Sequence, residues 1–378
     1  MKNAVGQAFA VIGLAAHLGR GAGRVAVDAV AGNRVGLPRT VERIDAAVLS
    51  KVMGNTVRSV RVLGSDAGTS SRARLVLTGK DVPESVFVKL AAQTAATRLM
   101  GELGRLGHTE VRFYSQLAPQ LTGVPAAYGT AFDPWTGRYL LVLEDLPPET
   151  CQFPDTLHPL SPDQAGLIVE LLARLHATFW DRLPRDGRGP LGWLYTPSGD
   201  VTSLLTGSLM HASIKRLADR TTIPVENGRY IADNYRAVAA LIDAPPHTVM
   251  HGDAHPGNMY FHGGKAGLLD WQAMRRGHPS RELAYTLITS LTPEDRRATQ
   301  RDLLDDYRRA LVAAGGPDLD RDELWLRYRQ GALYAYVAAL ITAGMGGMQV
   351  EAIAMEGLRR GVAALDDLET IAALKAAG

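Results

Sequence analysis

The sequence predicts an α+β chain of two unequal parts, a small antiparallel β-sheet followed by a larger, mainly helical region. Runs of β-branched and aliphatic residues punctuated by Gly and Pro fall within residues 38–146, with one further short stretch near residue 250. Beyond Pro147-Pro148, apolar residues recur at helical spacing almost to the C-terminus. A length of 378 residues suits two domains.

The β-rich part reads in order. Residues 57–63 and 72–77 are strands, joined by a loop over residues 64–71 (Gly-Ser-Asp-Ala-Gly-Thr-Ser-Ser). Residues 85–90 form a third strand behind Pro83, followed by one inserted helix reaching about Leu117. Residues 128–132 and 138–143 make a hairpin around Asp133-Pro134-Trp135-Thr136-Gly137. In the second part, Ser161-Pro162-Asp163 starts a helix whose Leu167, Ile168, Leu171, Leu172, Leu175 and Phe179 share one face. Residues 181–246 are mixed, with one long helix expected over 227–242. A compact hairpin follows over 248–269, and helices occupy the chain from Glu282 onward. The uncharged stretch 330–350 is broken by Gly344-Met345-Gly346-Gly347, so it reads as a buried helix too short to span a bilayer.

The organisation is therefore an N-terminal helical extension (1–37), a β-rich lobe (38–146) and a helical lobe (147–378). The extension holds the apolar run Ala8-Phe9-Ala10-Val11-Ile12-Gly13-Leu14, and Ala29-Val30-Ala31 imitates a cleavage site. Arg20, Arg24 and Asp28 lie between these two features, where an export signal is uncharged. The extension is expected to pack on the fold or to rest weakly on a membrane surface, with Lys2, Arg20 and Arg24 near anionic headgroups; an export signal is the rival reading.

Composition excludes several classes. With 41 Lys+Arg against 39 Asp+Glu the net charge is +2, which argues against a dedicated nucleic-acid binder. Cys151 is the single cysteine, so no internal disulfide and no multi-thiolate zinc site can form. A cytoplasmic location is expected.

The chemistry concentrates in Val249-Met250-His251-Gly252-Asp253-Ala254-His255-Pro256-Gly257-Asn258 and, twelve residues on, Asp270 at the end of Gly267-Leu268-Leu269. Phosphoryl transfer needs a carboxylate near the attacking hydroxyl and oxygen ligands for Mg²⁺. Asp253 and Asn258 are five residues apart, the interval between the catalytic-loop Asp and Asn of protein kinases, and Asp270 supplies a second carboxylate at a strand end. His251, Asp253 and His255 could instead ligate zinc from alternate positions of an extended segment, but zinc explains neither Asp270 nor the upstream Lys89.

His-Gly-Asp-x-His-x-x-Asn followed by Leu-Leu-Asp-Trp resembles the aminoglycoside phosphotransferase/choline kinase superfamily, and within it the bacterial branch similar to ecdysteroid kinases. The resemblance covers residues 38 to the C-terminus. It implies a two-lobed, protein-kinase-like fold and a small-molecule kinase that uses ATP or GTP with Mg²⁺. It implies Asp253 as catalytic base, His251 as a residue shaping the catalytic loop, and Asn258 and Asp270 as metal ligands. Lys89 in Val86-Phe87-Val88-Lys89 would contact the nucleotide phosphates, with Glu110 as its ion-pair partner and Glu102 as the rival. Gly64, Gly68, Thr69 and Ser70 would cover the phosphates. The backbone from Glu144 through Leu146 would read the base.

Asp270 is followed by Trp271-Gln272 rather than Phe-Gly, and no long activation segment follows. The expected acceptor is therefore a small molecule, with Trp193, Tyr195, Met210, Tyr230, Tyr235, Tyr334 and Tyr336 as candidate walls. Acids are scattered singly over 181–246, which favours a neutral or apolar alcohol over a polycationic aminoglycoside. Antibiotic phosphorylation and a pseudokinase-like nucleotide-binding module are the alternatives.

Overall fold

The structure, a computed structural model, describes residues 2–32, 36–184, 189–347 and 349–377. The chain divides into two compact units: residues 1–151 with 269–273, and residues 152–268 with 274–378.

The first unit begins with helix α1 (Lys2–Ala31) and α2 (Ala46–Met53). Strands β1 (Thr56–Ala67), β2 (Ser70–Lys80) and β3 (Ser85–Ala91) precede α3 (Ala95–Leu103) and α4 (Leu106–Gln116); β4 (Ala127–Phe132) and β5 (Tyr139–Glu144) follow. The five strands form one antiparallel sheet in the order β1-β2-β3-β5-β4. Alternation along the strands divides its two faces. Val86, Val88 and Leu90 of β3 and Leu140 and Val142 of β5 bury themselves with Leu49 of α2, leaving Lys89 on the opposite face beside Leu141.

Two sequence expectations need correction here. Residues 64–71 are not a loop: the strand pair runs on past Gly64, and only Gly68 and Thr69 are left at the tip. Polar composition imitated a turn, but Asp66 and Arg72 are direct cross-strand partners, with a 2.5 Å ion pair. The inserted helix is two helices, because Gly104 caps α3 and Arg105 turns the chain through the left-handed region at φ 54°.

Helix α1 packs on this unit. His17 Nε2 lies 2.9 Å from the Leu103 carbonyl, Arg24 pairs with Glu102 at 2.9 Å, and the buried Asp28 accepts from Arg138. Val11, Ile12 and Val30 face outward. Among the described residues no helix is long and apolar enough to cross a membrane.

The second unit contains α5 (Pro162–Phe179), α6 (Ser203–Leu217), α7 (Arg229–Asp233) and α8 (Tyr235–Ile242). Strands β6 (Thr248–Met250), β7 (Met259–His262), β8 (Lys265–Leu268) and β9 (Arg275–Gly277) come next. Helices α9 (Pro279–Ser290), α10 (Pro293–Ala313), α11 (Arg321–Met345), α12 (Glu351–Asp367) and α13 (Thr370–Lys375) complete it. Ser161 and Gln164 form a capping box at the start of α5, with Pro162 in the first turn. The single long helix expected over 227–242 is broken: the Asn234 side chain donates to the Tyr230 carbonyl at 2.9 Å, competing with the helical ladder and separating α7 from α8. Two short ladders, β6 with β9 and β7 with β8, carry the segment around residue 253; β9 was not anticipated. The uncharged stretch near residue 335 lies in α11, whose Leu333, Tyr336, Val337 and Leu340 form the helical core with residues of α6, α8 and α12.

Candidate active site

In the first unit three charged groups converge under the sheet. Lys89 is 3% exposed, and its Nζ lies 2.7 Å from a Glu110 carboxylate oxygen and 2.7 Å from Asp270 Oδ1. Burial alone would lower the lysine pKa, but the Asp270 and Glu110 carboxylates hold it above its ordinary value. Burial raises Glu110, helped by the nearby Asp270 charge and opposed by Lys89. Glu102, the rival partner, is engaged by Arg24 instead.

Backbone and packing put Asp270 there. It adopts φ 58°, a left-handed conformation that Asp tolerates better than most residues. The next residue, Trp271, is 1% exposed and stacks on Phe113 of α4, ring centroids 4.0 Å apart and nearly parallel. Thus the Trp that departs from the kinase pattern clamps the Asp270 segment to the helix that carries Glu110.

The hinge and the hairpin tip belong to the same unit. The Glu144 carboxylate accepts from Ala126 N–H at 3.0 Å, and Asp145 makes a two-pronged pair with Arg74 at 2.8 and 3.0 Å. These side chains are spent on structure, while the Leu146 N–H has no acceptor among the described residues. Gly64 sits within the ladder opposite Arg74; Gly68 donates its N–H to the Ser70 carbonyl at 2.9 Å, and Ser70 is buried. The tip itself offers only Gly68 and Thr69.

In the second unit, Asp253 is gripped by neutral donors. Tyr285 of α9 donates its hydroxyl to Oδ1 at 2.7 Å, and Asn258 Nδ2 donates to Oδ2 at 3.2 Å and to the Asp253 carbonyl at 2.9 Å. His255 Nε2 stands 3.8 Å from Oδ2. Gly252 turns the chain at φ 84°, a conformation that favours glycine, and so aims the aspartate. His251 is fully buried; its Nδ1 accepts from the Asp253 N–H at 3.2 Å.

Below the loop lies Glu282, 2% exposed, which the sequence reading passed over as part of a helix. Its oxygens accept from Gly252 N–H at 2.6 Å and His251 N–H at 3.1 Å, and from His176 Nε2 at 2.9 Å. Burial would raise its pKa, but the His176 hydrogen bond and neighbouring donors hold it below the usual value. An ionised carboxylate can only accept, so Nε2 carries a proton, while Nδ1 lies 2.9 Å from the Tyr307 hydroxyl, which can donate to it or accept from it. Tyr334 fixes the loop from above by donating to the Gly252 carbonyl at 2.8 Å. The signal available in the sequence was two ionisable residues, His176 and Glu282, on otherwise apolar helix faces.

A cavity of about 190 Å³ opens beside Asp253, bounded by His255, Tyr285, Ala335, Ala339, Thr342 and Ile353 among others. Its walls come from α9, α11 and α12. Met210 and Tyr336, expected there, are buried in the helical core, with Tyr230 and Tyr235 packed against it. Their helical spacing marked a core face.

Each unit offers a hard oxygen donor. In the second, Asn258 spends its amide hydrogens on Asp253 and so turns its carbonyl oxygen to other partners; in the first, Asp270 presents a carboxylate beside Lys89. Mg²⁺ is commonly bound through one or two such protein oxygens together with waters and phosphates.

A sequence profile of the phosphotransferase enzyme family matches residues 62–325. No curated protein matches the chain in sequence. Among solved structures the chain is similar to choline kinase LicA from Streptococcus pneumoniae, at 17% identity and a TM-score of 0.50, covering 83% of this chain and 94% of that one. It is also similar to a Ralstonia eutropha JMP134 protein classed with the aminoglycoside phosphotransferases, at 15% identity and a TM-score of 0.50, covering 86% and 97%. These likenesses concern the fold, and they agree with a kinase-like α+β chain. Since the profile spans more than half of the sequence, the chain belongs to the phosphotransferase enzyme family.

Proposed function

We propose that this kinase takes the γ-phosphate of ATP or GTP and places it on a hydroxyl of a neutral, largely apolar small molecule. The observation that carries this reading is the cavity beside Asp253, whose walls are Ala, Thr, Ile, Tyr, Gln, His and Gly, with Asp253 as their one carboxylate. A polycationic acceptor would need several acids to offset its charge and desolvation.

Asp253 acts as the base. Its Oδ1 is occupied by Tyr285, and Oδ2, held more loosely by Asn258, takes the hydroxyl proton of the acceptor. The acceptor oxygen then forms the bond to the γ-phosphorus, the bond to the bridging oxygen breaks, and the nucleoside diphosphate leaves. Lys89 meets the nucleotide phosphates, with Glu110 and Asp270 fixing its ammonium. Asn258 and Asp270 are the residues that would hold Mg²⁺, which when bound would supply charge neutralisation at the phosphate oxygens. Gly68 and Thr69 cover the phosphates, and the free N–H of Leu146 reads the base edge. Glu282 and His251 hold the loop from beneath and touch no substrate.

Purified protein with Mg-ATP, assayed for nucleoside diphosphate release against hydroxysteroids, macrolides, choline and aminoglycosides, tests the substrate class. A neutral alcohol accelerating release is the expected result. Acceleration by an aminoglycoside alone overturns it. The outward Val11, Ile12 and Val30 of α1 support a second, weaker contact with a membrane surface. Equal pelleting with anionic vesicles by the full chain and a chain starting at Pro38 rejects that contact.

A further inference from the structure

A second cavity, of about 180 Å³, lies wholly within the first unit, enclosed by α1, α3, the start of α4 and the tip of the β1–β2 hairpin. One water needs roughly 10–15 Å³ of such space, so there is room for a ligand of roughly a dozen heavy atoms. Neither Lys89, Glu110 nor Asp270 lines it, so it is distinct from that cluster, although Thr69 touches its rim.

Its lining is strongly cationic: Arg20 and Arg24 from α1, Arg98 from α3, and Arg105 at the head of α4. Glu102 is the one acid in the wall, and it is already paired with Arg24 at 2.9 Å. Arg98 is 5% exposed, fixed by the Thr136 carbonyl at 2.5 Å and by Asp28 at 3.5 Å. Arg20 has no hydrogen bond or ion pair among the described residues.

The backbone adds to this charge. Residues 105–108, the first turn of α4, form one wall. That turn has no side-chain cap, and its leading N–H groups are without intrahelical acceptors, as at any helix start. Gly107 keeps the turn bare: a Cβ there would lie 2.3 Å from the Tyr139 ring. Arg105 occupies the left-handed region at φ 54°, a strained conformation for a residue that supplies no cap. His108 registers the field, its pKa lowered to about 4 by burial and by the charges of Arg112 and Arg24.

We propose that this cavity binds a small phosphate-bearing metabolite, its dianion held by Arg20, Arg24, Arg105 and the N-terminus of α4. The start of α4 and the arginines line the same cavity, and positive helix ends and guanidinium groups are the groups that bind phosphate. Glu110 is on the same helix, one turn further along. Occupancy therefore steadies the helix that presents Glu110 to Lys89 and tightens nucleotide binding about fivefold, within the usual range of coupling between sites. Only this coupling rests on the nucleotide reading above.

The test is titration with inorganic phosphate and with glycerol 3-phosphate at constant ionic strength, set by NaCl, on the full chain. The double variant R20A/R105G removes two of the lining charges, and R20A alone, at an exposed position, keeps the wild-type melting temperature and separates loss of charge from loss of fold. Wild type binds both probes and the variant loses at least tenfold in affinity. In wild type the His108 imidazole, followed by NMR, titrates at higher pH once phosphate is bound, because a nearby phosphate anion favours the charged ring. Phosphate captured elsewhere leaves His108 unmoved and is insensitive to R20A/R105G, and either result overturns the site. If binding stands but nucleotide affinity is the same with and without phosphate, the coupling is wrong and the site survives.

Discussion

The two units hold their key aspartates by opposite means. Asp270 is tied to a cation, Lys89, in a cluster of three charges. Asp253 is held by a phenol and an amide, and the residues beneath its loop are a carboxylate, an imidazole and a phenol in a hydrogen-bonded chain. An aspartate compensated by an ammonium is a poor proton acceptor but a good fixed ligand. One stabilised only by neutral donors keeps its negative charge unmatched and is free to take a proton. What surrounds each carboxylate thus supports the proposed division of labour between ligand and base.

This contrast can be broken from either side. Asp253→Asn removes the base while its amide still accepts from Tyr285; kcat should fall by about 10²–10⁴, with nucleotide affinity nearly unchanged. Wild-type turnover in steady-state assays would sink the assignment. Lys89→Met strikes the other unit: it strands Glu110, which is 1% exposed, beside a second carboxylate. Urea unfolding should show a loss of about 3–5 kcal/mol, whereas Asp253→Asn barely moves the midpoint.

Acid should separate the units further. His278 caps α9 and is buried, its pKa lowered to about 3 first by burial and then by Arg327, His176 and His247. A depressed histidine binds fewer protons folded than unfolded, so its stabilisation is complete above about pH 6.5 and is lost as pH falls towards 3. The loss reaches about 4 kcal/mol at the bottom of that window. His278→Asn should flatten the fall, as read by thermal melts across pH. The smallest effect belongs to Tyr285→Phe, which deletes one hydrogen bond to a charged acceptor and should cost about 1.5–3 kcal/mol in transition-state stabilisation. A drop in kcat of about tenfold or more with unchanged stability sharpens the assignment; a change confined to stability counts against it.

Much of this was legible in the residues. Asp253, Asn258 and Asp270 stand in a motif whose spacing reports chemistry, and Lys89 stood out as one charge in an apolar strand. Hidden were contacts made across long separations: Glu282 under Gly252, Tyr285 on Asp253, Trp271 on Phe113. A buried Glu on a helix and a buried Tyr look the same in sequence whether they serve a loop or the core. The strand continuing through Gly64–Ala67 was missed because local composition speaks for turns and only the cross-strand partner speaks for the ladder. The cavity walls were misplaced for a related reason, since aromatic residues at helical spacing mark a core face as readily as a ligand face.

The Phe113–Trp271 stack also sets an order of assembly. Residues 269–273 belong with the first unit although 117 residues of the second are made between Cys151 and Leu269. During synthesis, which proceeds from the N-terminus, the sheet and α4 emerge with Phe113 uncovered and Lys89 lacking one of its two carboxylates. The face of the first unit that carries Lys89 is completed only when residues 269–273 have been made. A nascent chain stalled before residue 269 would thus hold a nearly complete sheet with an open aromatic face, a natural handle for chaperones.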